Sequence, residues 1–239
     1  VVLAAITGTT LPVITALVAG AFAARLLGGW VKRPAPHRLC WGLGFLLFAG
    51  GAAAEAYGAA GGWTALEFRL YYLLGGVLAV ALLGLGSVWL NLPRSAALVA
   101  TGAVAACVPA AAVTVFAASM HEALLAHGGL RPPPDNTLGG LAFVWAIVLN
   151  SLGTLALVGG SLRAIWRGRA REANILVVAG VASVALSGIL TRLGSYGFVY
   201  VGQLLGIVLL FAGFELAGRP LGRRPTLGPR PVSSVRRGA

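Results

Sequence analysis

Charge is what this chain has least of. Only 10% of its 239 residues are charged, against 58% hydrophobic, and its mean hydropathy is +0.89, whereas about a quarter of the residues of a soluble domain are charged. That balance excludes an ordinary soluble fold. Acids are scarcer than bases, six Asp and Glu against eighteen Lys and Arg, and lysine is almost missing, Lys32 being the single one. A net charge of +12 would suit a nucleic-acid partner if the bases covered a solvated face, but here they flank long apolar runs, so nucleic acid is not an expected partner. Cysteine is nearly absent as well: Cys40 and Cys107 each lie inside an apolar run with no partner spacing, which excludes a disulfide framework or a cysteine metal site. Of the three histidines, His37 stands apart, while His121 and His127 fall in one polar connection without a third strong ligand; neither haem nor zinc is expected. No nucleophile elbow, phosphate loop or paired catalytic acids occurs, so no enzyme activity and no cofactor is predicted.

What remains is a series of apolar runs. A membrane-crossing helix needs about 20 mainly apolar residues, and runs of that length lie near 3–27, 39–60, 67–91, 96–119, 138–163, 173–192 and 197–217. They predict an all-α integral membrane protein of seven transmembrane helices. The chain opens at Val1 within the first run, with no basic segment ahead of it and Arg25, Lys32 and Arg33 behind it, the pattern of an uncleaved first span. Fifteen of the eighteen bases fall in the first, third and fifth connections and in the tail after Leu216, leaving Arg69, Arg131 and Arg192 on the other side. The positive-inside rule then puts the N-terminus outside and the C-terminus in the cytoplasm, and an odd number of spans requires opposite ends. Residues 218–239, rich in Pro, Gly and Arg, cannot bury a core and are expected to be a disordered basic tail lying against anionic inner-leaflet lipid. The expected setting is the bilayer of a bacterial inner membrane.

Residues 16–30 (ALVAGAFAARLLGGW) align loosely with 156–169 (ALVGGSLRAIWRGR), and the stretch after Tyr72 (LLGGVLAVALLG) with that after Tyr200 (VGQLLGIVLLFAG). Two parallel three-helix repeats about an unpaired fourth helix would give a 3+1+3 layout, one of the duplicated plans of transporters. In topology that layout is similar to SWEET-type sugar carriers and, more distantly, to microbial rhodopsins. The Pro-Gln loop motif of the former does not occur, and with Lys32 in a connecting loop span 7 has no lysine for a retinal Schiff base.

The polar residues then cluster at one end. In span 2, Glu55 lies about 8 Å below the outer boundary at about 1.5 Å per residue, and it shares a helical face with Gly44, Gly51 and Gly58, small residues that let a neighbouring helix approach. Arg69 opens span 3 with Tyr72 on its face, Arg192 closes span 6, and all five tyrosines, Tyr57 and Tyr200 among them, lie near the outer ends. One reading is an interfacial tyrosine belt with Glu55 paired to an arginine that locks helices together. The other is an outward-facing pocket in which Glu55, Arg69, Tyr72, Arg192, Tyr57 and Tyr200 bind a small molecule or lipid. Asn150 and Thr154 in span 5 and Ser183, Ser187 and Thr191 in span 6 form a candidate polar path, or bond only to neighbouring backbone. The function expected is binding, and through the same opening transport, of a small or amphipathic molecule; the alternative is a non-transporting sensor or assembly subunit with a structural ion pair.

Overall fold

The computed structural model describes residues 6–126, 131–192 and 197–217, and of residues 6, 7, 135, 188–192 and 197–199 the backbone alone. The expected tail, and the side chains of Thr191 and Arg192, lie outside the described residues. The chain is all-helical. Among the described residues six helices are long and apolar enough to cross a membrane: α1 (Gly8–Lys32), α2 (Pro36–Gly61), α3 (Ala65–Asn91), α4 (Arg94–Ala117), α5 (Ala142–Trp166) and, after α6 (Arg171–Arg192), the Tyr200–Ala217 stretch of α7 (Gly197–Ala217). These make it a multi-pass membrane protein. The 22-residue α6 occupies the run read as the sixth span.

Local chemistry sets the breaks. Pro36 opens the first turn of α2, where a missing N–H costs nothing. Gly62 ends that helix at φ 91°, its N–H donating to the Gly58 carbonyl, a backbone angle that favours glycine. Thr64 and Glu67 then form a reciprocal capping box at the start of α3, with the Thr64 N–H donating to Glu67 Oε2 at 2.9 Å; the T-x-x-E signature explains this acid as a cap.

In a membrane the helices gain little from burying apolar surface against one another, so close backbone approach and interhelical hydrogen bonds organise the bundle. Packing runs from α1 to α2, α3, α5, α6 and α7 and back to α1, closing a six-helix ring, while α4 lies outside it against α3 and α5. Gly51 meets the Gly75 backbone where α2 crosses α3, and Gly84 meets Gly153 where α3 crosses α5. Gly202 and Gly206 of α7 pack on α6 beside Ser187 and Gly180. All six ring helices contribute to one apolar core near the end that carries Arg25, Lys32 and Arg163, called here the basic end. Phe22 stacks on Phe211 with centroids 3.8 Å apart, and Trp41 on Phe214 at 4.2 Å, while Phe45 meets both Phe211 and Phe214 edge-on. Beside this cluster Arg25 and Glu215 form an ion pair at 3.4 Å, the pairing that the position of Glu215 suggests.

A second core, at the opposite end, joins α3, α4 and α5 around Phe68, Val77 and Val115. The connection between α4 and α5 covers it. There Met120 bridges Leu138, with His121 N–H donating to the Thr137 carbonyl and Gly139 N–H to that of Ser119. Among the described residues two π-helical stretches have no counterpart in the expected spans: Ile6–Thr10, which leads into α1, and Tyr71–Leu78 within α3. Both flank α2. In α3 the wider turn contains Gly75, on which Gly51 of α2 rests.

Candidate functional site

The site grows from the half of α2 that lies away from the basic end. Glu55 is 6% exposed, between Gly51, which touches α3, and Gly58, which Trp63 covers. The face that lets α3 approach therefore also turns the carboxyl into the protein. Six residues before the end of α2, it lies about 9 Å along the axis from that end. Its hydrogen-bond partner is the phenol of Tyr200, on the first turn of α7. Among the described residues the ion pair is Arg25–Glu215, and Glu55 takes part in none.

Thr15 of α1 stands at a similar level, seven residues or about 10 Å from the start of its helix. It is 2% exposed and its Oγ1 is buried without a hydrogen bond. The contrast with other helical threonines is informative: the Thr101 and Thr114 hydroxyls each donate to the carbonyl four residues back, at 2.7 Å, the usual refuge of a hydroxyl in an apolar helix. Asn150 of α5 reaches the π-helical turn of α3, its Nδ2 donating to the Gly76 carbonyl, while its Oδ1 is buried without a partner.

Several expected site residues go elsewhere. Arg69 turns to the end of α4 and donates through a terminal guanidinium nitrogen to the Ala118 carbonyl at 2.9 Å, so it ties α3 to α4. Tyr72 is buried in the α3/α4/α5 core near Phe68. Tyr57 is 68% exposed and faces out of the bundle. Ser183 donates across to the Gly202 carbonyl at 2.8 Å and Ser187 to that of Val184 at 2.7 Å, so both hydroxyl protons are engaged by backbone. Thr154 is half-buried on α5. The structure thus brings Glu55 and Tyr200 together and leaves Arg69 and Tyr57 apart from them.

Three residues join the neighbourhood that the sequence did not mark. Thr15 continues the buried face of Pro12, Ala19, Ala23 and Leu26, and a hydroxyl at that spacing was the available signal. Arg131, in the α4–α5 connection, lies within electrostatic reach of the Tyr200 phenol; nothing local in the chain announces that this connection approaches α7. Trp63, packed edge-on against Phe68 and Tyr71 at 6.0 and 5.6 Å, adds an aromatic wall one turn from Glu55.

The chain matches no protein-family model, no curated protein and no solved structure. Its site is therefore read from its own chemistry. A buried carboxyl bonded to a phenol, with an unpartnered hydroxyl at a similar level on the adjacent helix, can bind and orient a polar group; these groups include no nucleophile paired with a base.

Proposed function

We propose that this is a seven-span inner-membrane protein, N-terminus outside, that binds and carries a small or amphipathic molecule through a site at its outer end centred on Glu55 and Tyr200. The observation that carries the reading is Glu55 itself: a carboxyl 6% exposed, bonded to a phenol and, among the described residues, in no ion pair. A purely structural carboxylate at that depth would be expected in an ion pair, because an uncompensated buried charge costs several kcal/mol. The distribution of polarity supports the same view. Polar side chains gather in the outer half of the ring, and the stacked Phe22, Trp41, Phe211 and Phe214 fill the basic end, as in a carrier open to one side. A six-helix ring with α4 outside is also the layout that a 3+1+3 duplication would produce. The positive-inside distribution of Arg supports the orientation.

Purified protein in liposomes, screened for uptake over a broad panel of solutes, tests the reading. Saturable uptake lost in Glu55→Gln supports it, and absence of flux across the panel favours a non-transporting sensor or assembly subunit. One observation leans towards that second reading: the Asn150 amide and the Ser183 hydroxyl donate to carbonyls of neighbouring helices and so tie them together, while Ser187 donates within its own helix.

A further inference from the structure

We infer that the turn between α5 and α6 is a binding site for an anionic phospholipid: its arginines take the phosphate, Trp166 lies at the level of the glycerol, and an acyl chain runs along the outward face of α5. The inference is independent of what Glu55 binds, because it rests on the opposite end of the bundle and on the membrane setting alone.

The chain builds this turn on a fixed frame. At the end of α5 the Gly168 N–H donates to the Ile165 carbonyl and the Arg169 N–H to that of Ala164, both at 2.9 Å, with Gly168 at φ 64°, the paired bonds of a Schellman stop. Asn174, buried in the first turn of α6, donates through Nδ2 to the Arg169 and Ala170 carbonyls at 3.2 and 2.9 Å. These bonds hold Ala170 at φ 43°, where a residue with a β-carbon stays only if its surroundings fix it. Arg163, Arg167, Arg169 and Arg171 project from this frame; all four are exposed, and none has an ion pair or side-chain hydrogen bond among the described residues. Elsewhere at the basic end arginines are engaged, Arg25 by Glu215 and Arg38 against Gly29. The one acid of the turn, Glu172, is exposed too, so four arginines against one acid leave a surplus of three positive charges. Charge alone would suit any anion, but the helix beneath selects a lipid. Leu152, Leu155, Gly159 and Leu162 recur every three or four residues and are exposed, and the same spacing leads to Trp166, 86% exposed. They make one outward stripe about 21 Å long at about 1.5 Å per residue, longer than the hydrocarbon depth of one leaflet, half of about 30 Å. Nothing stands within 4 Å of where a Gly159 side chain would begin, which leaves a gap midway for an acyl chain. A soluble anion would use the arginines and not the stripe, while a zwitterionic lipid would use the stripe and bring its own ammonium to the arginines. An anionic phospholipid uses both: guanidinium groups bond phosphate oxygens in pairs, and tryptophan favours the membrane–water boundary.

The test reads Trp166 fluorescence in lipid nanodiscs, isolated as the difference between the full chain and Trp166→Phe. Phosphatidylglycerol and phosphatidylcholine carrying brominated acyl chains, which quench tryptophan on contact, are each titrated into a phosphatidylcholine bilayer. The mole fraction that half-quenches Trp166 should be at least about fivefold lower for phosphatidylglycerol, the effect of one arginine at an anionic surface. Arg163→Gln with Arg167→Gln should bring the two lipids within about twofold of each other, whereas Lys32→Gln with Arg33→Gln, at the α1–α2 connection, should leave the preference in place. Equal quenching by the two lipids in the parent protein would overturn the assignment. So would a preference that survives the double arginine variant, or that falls as far in the Lys32 and Arg33 variant, since either marks diffuse attraction of anionic lipid to the whole basic end. Loss of the preference on adding millimolar inorganic phosphate at constant ionic strength would give the arginines to a soluble anion and overturn the lipid.

Discussion

The Glu55–Tyr200 contact is the part of the site most open to measurement. If Glu55 were half of a buried ion pair, Glu55→Gln would strand its partner and cost about 3–5 kcal/mol. The structure instead gives it a phenol. The glutamine amide keeps the shape and still accepts from Tyr200, and the substitution removes a charge that no described cation compensates. Glu55→Gln should therefore not destabilise the protein, and should stabilise it if the carboxyl is ionised. Tyr200→Phe removes the donor and leaves a buried carboxyl oxygen without its bond, worth about 1.5–3 kcal/mol for a charged acceptor. At about 2–4 °C per kcal/mol for a chain of this size, Tyr200→Phe should melt roughly 3–12 °C lower while Glu55→Gln melts no lower than the parent. The double variant completes a cycle whose coupling energy isolates the bond. Thermal unfolding of all four proteins in one detergent checks it. A Glu55→Gln protein that loses 3 kcal/mol or more, with no coupling to Tyr200, would refute the assignment of Tyr200 as the partner and restore an arginine to that role.

Other consequences are open to simpler assays. Gly84→Ala would push a methyl to within 2.6 Å of the Gly153 backbone, so it should destabilise by about 1–3 kcal/mol, whereas Gly20→Ala meets nothing within 4 Å and should be nearly neutral; detergent melting curves compare them. Thr64→Ala removes the capping box of α3 and should cost about 0.5–2 kcal/mol, read as earlier fraying of residues 65–70 by hydrogen exchange. Asn136→Cys, in the α4–α5 connection, should react with an impermeant maleimide in intact spheroplasts; labelling only after permeabilisation would invert the topology. Trp41→Ala removes a ring stacked on Phe214 and should let small solutes leak through proteoliposomes at the basic end, while unchanged tightness would assign the seal elsewhere.

The parts of this fold that depend on local chain chemistry were legible in advance. An apolar run long enough to cross a bilayer announces itself by length, and breaks at Gly62 and Pro93 follow from residue type. The inward turn of Glu55 was also legible, because Gly44, Gly51 and Gly58 mark the face on which a helix approaches. Which helix carries its partner was not. Tyr200 reaches Glu55 only because α7 closes the ring near α1 and α2, a long-range fact with no local signature. Arg69 looked like the nearer partner, but α4 ends beside it and presents the Ala118 carbonyl. The π-helical turn of α3 left only the pair Gly75–Gly76 as a trace, and glycine is too common in this chain for that pair to stand out.

The ring is joined unequally around its circumference. Short connections make α1 to α2, α2 to α3, α5 to α6 and α6 to α7 antiparallel hairpins, whereas α3 beside α5 and α7 beside α1 are seams between helices that run the same way. At the first seam backbone lies against backbone, Gly84 on Gly153, with the Asn150 amide fastened to Gly76. At the second, the thinnest contact in the ring, the joint is made of side chains: the stacked Phe22 and Phe211 and the exposed pair of Arg25 with Glu215. One seam is a weld and the other a clasp. Under load such a ring parts between α1 and α7, and the two helices that separate there carry Thr15 and Tyr200, so the clasp and the site share their components.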